Sequence, residues 1–244
     1  MRLGIMQPYF FPYLGHFSLI AASDEWIVFD VTQYTPKSWM NRNRVLHPAG
    51  GCTWITVPLS NSSIHIRTRE ATILDPAAAR RSVLGHLSHY RRAPHYAAVL
   101  GLIEEAFADD DPSLVRLNVR ALASVCGYLG LPFRPRICSG LDLALPTGLG
   151  PGDWAPAICA ALGATSYVNP VGGKDLFDPL PFSARGLSLY FLQAHAFTYA
   201  TTGLAFEPNL SILDVLMWNP PAAVLAAIKR YELVEAVDRL PALQ

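Results

Sequence analysis

The chain has 244 residues, of which 51% are hydrophobic and 16% charged, and its 19 Lys and Arg are balanced by 19 Asp and Glu. That composition supplies ample apolar surface for a folded core and excludes a disordered chain or a basic polyanion binder, so a small, locally recognised ligand is expected and nucleic acid is not. The most apolar windows, VLGLIEEAF and LSLYFLQAHAF, are interrupted well short of the ~18 residues a membrane span needs, and no basic segment leads into an apolar one at the start. The expectation is a cytoplasmic protein with no membrane span.

RLGIM (2–6) is a short apolar run closed by Gln7 and Pro8, the pattern of a buried first strand opening into a loop, here PYFFPY. Leu14, Phe17, Leu19, Ile20 and Ala21 suit a helix packed on a sheet, and EWIVFD (25–30) reads as a second buried strand, which completes a parallel βαβ unit. NRNRVL and CTWITVPL (52–59), joined by the HPAGG turn, predict a strand pair, and a strand is expected near EATIL (70–74).

The middle of the chain reads as helical. Asp75 and Pro76 open one helix, the Ala93–Pro94 pair breaks it, HYAAVLGLIEEAFADD resumes it, and Ser113 caps LVRLNVRALASVCGYLG, which stops at Gly130. PRICS (135–139) is a candidate strand, DWAPAICAALG a helix ending at Gly163, TSYVN (165–169) a strand, PVGGKDLF a turn-rich loop and GLSLYFLQAHAF a further β segment. Ser211 caps LDVLMWN, and a last helix is expected through AAVLAAIKRYELVEA. Strands alternating with helices predict one α/β domain over residues 1–244 with a helical insert at about 76–130.

Four segments carry candidate chemistry. Gln7 to His16 lies after the first strand, where a doubly wound sheet binds its ligand. Gly15 permits close backbone approach and His16 adds an imidazole one turn into the helix, an arrangement suited to phosphates. KSWMNRNR places Lys37, Asn41, Arg42, Asn43 and Arg44 within eight residues. In an extended strand the two asparagines share one face and the two arginines the other, where they could clamp a phosphate or carboxylate. In TSYVNPVGGKDLFD, Asn169 ends a strand, Gly172 and Gly173 allow a tight turn or a close ligand, and Lys174 offers a point charge. In FEPNLSILDVLMWNP, Ser211 and Asp214 form an S-x-x-D capping box or mark a helix N-terminus beside a site. His86, His89 and His95 fix no third ligand, so no metal site is expected. Cys52, Cys126, Cys138 and Cys159 lack a CxxC pair and read as reduced thiols, and Cys52, Cys138 or Cys159 could be a nucleophile only with a distant histidine.

PYLGH resembles the (H/T)xGH motif of HIGH-type nucleotidyltransferases and pantothenate-synthetase-like ligases, with Tyr13 in the first position. IMQPYFFPYLGHF, WMNRNR, YVNPVGGKDLF and LSILDVLMWN together, in that order and across nearly the whole chain, resemble the WbqC-like family. That resemblance implies a Rossmann-like, HIGH-type parallel sheet and a role in bacterial O-antigen, related glycan or natural-product assembly. It also implies a shared site of Gln7, Tyr13, His16, Lys37, Asn41, Arg42, Asn43, Arg44, Asn169, Gly172, Gly173 and Asp214. Family members often carry Tyr-x-Gln after the last strand, where this chain has Tyr199, Ala200 and Thr201.

Three functions are weighed on these residues. The first is a transferase acting on an activated, phosphate-bearing small metabolite by nucleotidyl- or ligase-type chemistry. His16, Lys37 and Arg42 would be its catalytic groups, with Gln7, Tyr13, Gly15, Asn41, Asn43, Arg44, Asn169, Gly172, Gly173, Lys174 and Asp214 binding substrate, and with Mg²⁺ arriving on a nucleotide. The second is acyl or aminoacyl transfer through a cysteine or from a carrier thioester. The third is a non-catalytic binding or assembly protein.

Overall fold

β1 (Arg2–Met6) is the central strand of a six-stranded sheet whose order is β5-β2-β1-β6-β7-β8. The computed structural model describes residues 1–236. β2 (Glu25–Val28) and β5 (Pro135–Ile137) lie to one side of β1, and β6 (Ser166–Pro170) and β7 (Ser188–Ala194) to the other, all parallel. β8 (Tyr231–Glu235) closes the edge antiparallel to β7. Numbered along the sheet's own strands, the order is 3-2-1-4-5-6, that of a Rossmann-like α/β fold. The strand order reverses between β1 and β6, so a crevice opens there beyond their carboxyl ends.

Alternation along each strand fixes which layer a residue feeds. Leu3, Ile5, Ile27, Tyr167 and Leu189 pack under α5 (Trp154–Ala161) through Ala155, Ile158 and Cys159. Trp26, Val28, Val168 and Leu192 face the larger core on the other side, with α1 (Leu14–Ala21). Both faces are covered, as parallel strands require. At Gly4 the close approach of Trp26 and Ser23 leaves no room for a Cβ, which explains a glycine in a central strand.

Everything between β2 and β5 replaces one crossover. It comprises the antiparallel hairpin β3 (Arg42–Leu46) and β4 (Cys52–Thr56), followed by α2 (Pro76–His86), α3 (Tyr96–Ala106) and α4 (Leu114–Leu129). Asp75 and Ser113 cap α2 and α4 through their side chains, and Gly130 ends α4 in the left-handed conformation at φ 67°. The helical segment at 76–130 thus follows a hairpin within the same excursion.

Two expected elements differ. EATIL forms only isolated bridges, Leu59 with Ile73 and Thr72 with Ser113, because the chain leaves a short 3₁₀ turn over Thr68–Glu70 with one partner residue on each side. The last helix, α8, spans Pro221–Ile228 only, and YELVE is β8 instead. There Leu233 pairs with Leu192 across the sheet, a long-range partner that outweighs local helix propensity. α6 (Leu180–Ser183) and α7 (Ile212–Trp218) complete the elements, and among the described residues no helix is long and apolar enough to cross a membrane.

Candidate functional site

The loop from Gln7 to Tyr13 leaves β1 at the switch point and is held by buried polar side chains from distant parts of the chain. Asn118, inside α4, donates through Nδ2 to the carbonyls of Pro8 and Met40, both at 2.8 Å. Asn43 donates to Phe10 at 3.0 Å and Phe11 at 2.8 Å, and the Ser211 hydroxyl donates to Phe11 at 2.7 Å. Phe11, fully buried, sits at φ 38°, a region that costs a bulky residue of order 1–3 kcal/mol and persists only when neighbours over-determine it. These buried donors supply that constraint.

His16 lies one turn into α1 behind this loop, 2% exposed, with Tyr9 at 5.6 Å and Trp26 at 5.1 Å between ring centroids. Burial alone lowers its pKa to about 3, so the imidazole is neutral, and its Nε2 has no partner among the described residues. At the helix start, Gly15 lets the Tyr13 ring fold back: a Cβ there would meet that ring at 2.5 Å.

The hairpin presents two unlike faces. Asn41 and Asn43 point inward, where Asn41 accepts from the Tyr34 hydroxyl at 3.1 Å and donates to the Val57 carbonyl at 3.1 Å. Arg42 and Arg44 are on the other face, directly across from Thr56 and Trp54. The Arg42 guanidinium stands 4.0 Å over the Trp54 ring and that of Arg44 5.6 Å over Trp39, and the two indoles lie 5.4 Å apart. Among the described residues no carboxylate pairs with either arginine and the Nε of each has no acceptor. The aromatic rings hold both cations extended, at about 0.5–2 kcal/mol per contact, and leave their outer N–H groups for an anion.

Three adjoining cavities follow the carboxyl edge of the sheet. The central one, about 490 Å³, is bounded by Tyr9, Tyr13, Trp39, Asn43 and Arg44. A second, about 720 Å³, shares Tyr9 and runs past Gln7, Asn169, Gly172 and Gly173 toward α5. A third, about 360 Å³, shares Tyr13 and extends from Leu14 and Gly15 to Phe197, Tyr199 and Phe206. Gln7, Tyr13, Gly15, Asn43, Arg44, Asn169, Gly172 and Gly173 therefore meet around one cleft. Lys37 and Lys174 are exposed and outside these walls, Lys37 at φ 55°. Arg42 stands beside the cleft next to Arg44, and Asn41 and His16 are buried behind it.

Asp214 takes a different part from the capping box its spacing suggests. Ser211 accepts from the Leu213 N–H, while the fully buried Asp214 carboxylate receives the hydroxyls of Tyr90 and of Tyr199, the latter at 2.6 Å. Burial raises its pKa, and the two tyrosine hydrogen bonds oppose that shift. It ties the wall of the third cavity, through Tyr199, to the helical segment through Tyr90, and its Oδ2 lies 3.4 Å from the Leu46 N–H of β3. Cys126, Cys138 and Cys159 are buried and their thiols pushed up to about 12, 11 and 12 by desolvation, while Cys52 is exposed at the hairpin end. None of them borders the three cavities.

The four segments singled out in the sequence thus converge on one edge of the sheet. A family model described as the WbqC-like protein family matches residues 7–226. The chain belongs to the WbqC-like family. A relative from Mycobacterium tuberculosis (strain ATCC 25618 / H37Rv), named "Uncharacterized protein Rv1507c", is 29% identical over 218 residues, covering 88% of this chain and 92% of the relative. No solved structure matches the chain. The matched span begins at Gln7, the first residue past β1, and so includes all of the cleft except Ile5 and Met6.

Trp39, Trp54, Asn118 and Tyr199 were not singled out as site residues from the sequence. Trp54 carried the clearest signal, since the hairpin register that places it opposite Arg44 follows from the HPAGG turn. Asn118, a buried polar residue in an apolar helix stripe, was a weaker one.

Proposed function

We propose that this WbqC-like protein is a biosynthetic transferase acting on an activated, phosphate-bearing small metabolite in glycan or natural-product assembly, by nucleotidyl- or ligase-type chemistry. One observation carries the reading: Arg42 and Arg44 stand side by side on tryptophan rings, without a carboxylate partner among the described residues, beside a cleft at the switch point of a Rossmann-like sheet. Guanidiniums held in advance where phosphoryl oxygens gain charge stabilise that charge without reorganising, and this is the main source of rate in phosphoryl and nucleotidyl transfer.

His16, neutral and buried, does not supply positive charge in this arrangement, so the electrostatic role falls to the arginines, with Lys37 and Lys174 as outlying cations. His16 and the pinned loop position the cleft wall. Among the described residues no three His, Cys, Asp or Glu side chains group together. A Mg²⁺ ion would therefore be carried on the substrate's phosphates, as is usual for that ion.

The test is thermal unfolding of wild type and Arg44→Ala with ATP, CTP, UDP-sugars and acyl-CoA, each with and without Mg²⁺. A ligand at a hundred times its Kd adds about 2.7 kcal/mol, roughly 5–10 °C in a chain of this size. A shift from a phosphate-bearing compound that disappears in Arg44→Ala supports the reading. No shift from any of them ends it, and a compound bound but never converted would assign the protein to binding.

A further inference from the structure

We infer that the cavity running from Tyr9 toward α5 is a nucleobase pocket, so that the phosphate-bearing metabolite is a nucleotide or nucleotide-linked compound. The inference rests on the reading above that the phosphates lie at Arg42 and Arg44.

At about 720 Å³ this cavity is larger than the central one at about 490 Å³, which it joins at Tyr9, and among the described residues no Asp, Glu, Lys, Arg or His borders it. Uncharged walls of this kind reject a phosphate, which would lose its hydration without a counter-charge. Its aromatic side is built from Trp154 packed edge-on to Phe29 at 5.5 Å and Phe177 packed edge-on to Tyr167 at 5.4 Å. Flat π surfaces of that type take a planar ring.

Its polar side is amide, and two of the amides have their orientation fixed by the protein. Asn169, 6% exposed, accepts the Tyr167 hydroxyl at 3.0 Å and donates one N–H to the Pro170 carbonyl at 3.0 Å, which leaves its second N–H without an acceptor among the described residues. Gly173 is needed beside it, because a Cβ there would collide with the Asn169 Nδ2. Gln33 donates to the Ile64 carbonyl at 2.6 Å, which leaves its carbonyl oxygen without a donor among the described residues. Gln7 donates to the Thr32 hydroxyl at 3.3 Å, and because that hydroxyl can also donate, Gln7 can present either end. A fixed donor, a fixed acceptor and an adaptable amide around aromatic walls match the edge of a nucleobase, which carries both donors and acceptors on a flat uncharged ring.

Binding to the full-length chain is measured by titration calorimetry with inorganic pyrophosphate, ribose 5-phosphate and the diphosphates of adenosine, cytidine, guanosine and uridine. At least one nucleoside diphosphate is expected to bind tenfold or more tightly than pyrophosphate or ribose 5-phosphate. Gln33→Ala, at an exposed position, and Trp154→Ala should each cut that advantage by about tenfold, the scale of one lost hydrogen bond or stacking contact, and leave pyrophosphate affinity unchanged. Unchanged pyrophosphate affinity also reports that each variant is folded.

Equal affinity for all the phosphates, or a nucleotide preference that survives both substitutions, overturns the base pocket while leaving an arginine-dependent phosphate site standing. If no phosphate compound binds wild type, both readings fall.

Discussion

The loop from Gln7 to His16 and the outer face of the hairpin are both rich in polar and aromatic residues, yet their polar groups are used in opposite ways. In the loop, backbone carbonyls at Pro8, Phe10 and Phe11 are engaged by Asn118, Asn43 and Ser211, and His16 is enclosed by aromatic rings and kept neutral. On the hairpin, Arg42 and Arg44 lie against tryptophan faces without a carboxylate partner among the described residues, and Arg44 borders the central cavity. Backbone carbonyls satisfied by buried donors set shape, whereas charged side chains that lack partners are available for recognition. In the function proposed above, the motif that first suggests phosphate chemistry shapes this cleft, and the strand opposite it carries the charge.

The strongest way to break that contrast is Arg42→Ala combined with Arg44→Ala. Each charge-assisted hydrogen bond contributes about 1.5–3 kcal/mol, so the double variant should bind the phosphate-bearing ligand about 10²-fold to 10⁴-fold more weakly. Its urea midpoint should fall only by what the two tryptophan contacts contribute, about 0.5–2 kcal/mol each, since the arginines have no ion-pair partner among the described residues to lose. Unchanged binding, measured by calorimetry, would remove the hairpin from the site.

The converse holds for Asn118→Ala. It leaves two buried carbonyls, of Pro8 and Met40, without their donor and should cost about 2–4 kcal/mol in urea unfolding. Binding should weaken only through loosening of the loop, so the stability loss should exceed the affinity loss. A variant as stable as wild type would show that the loop is held by packing alone.

These cases show how much the sequence discloses. Strand and helix positions follow from periodicity and capping, and the alternation NRNR separates inward asparagines from outward arginines because side chains on a strand alternate faces. What it hides is long-range. Asn118 reaches carbonyls 110 and 78 residues away, and Asp214 answers tyrosines 124 and 15 residues away, so the local S-x-x-D pattern misleads. The YELVE segment continues an Ala-rich helix in local terms and becomes a strand only because β7 offers an edge. His16 lies in a motif associated with chemistry, and burial, which no motif encodes, decides its charge.

That burial is itself measurable. The unfolded imidazole titrates near 6.5 and the folded one at about 3, so between those values the unfolded chain takes up a proton that the native chain refuses. Stability should fall as pH drops from about 6.5 toward 3, with His16 contributing up to about 1.4 kcal/mol per pH unit. His16→Leu, which replaces a ring whose Nε2 has no partner among the described residues, should flatten that part of the profile in urea titrations at pH 7, 6 and 5 and preserve ligand binding. An unchanged slope would mean that the folded imidazole meets water, and lost binding would return His16 to the cleft as a contact residue.

The smallest effect is expected at Lys37, and there stability and recognition can be told apart. A lysine at φ 55° bears a left-handed backbone that glycine adopts freely, offset by glycine's larger entropy when unfolded. Lys37→Gly should therefore stabilise the chain by about 0.5–1 kcal/mol, read as a higher urea midpoint at unchanged slope. If Lys37 only shapes the loop that brings Trp39 to Arg44, ligand affinity will stay within about twofold, because the substituted backbone keeps its path. A loss of about tenfold in affinity alongside the gain in stability would instead make Lys37 a third cation of the phosphate site, kept in a strained conformation for its charge.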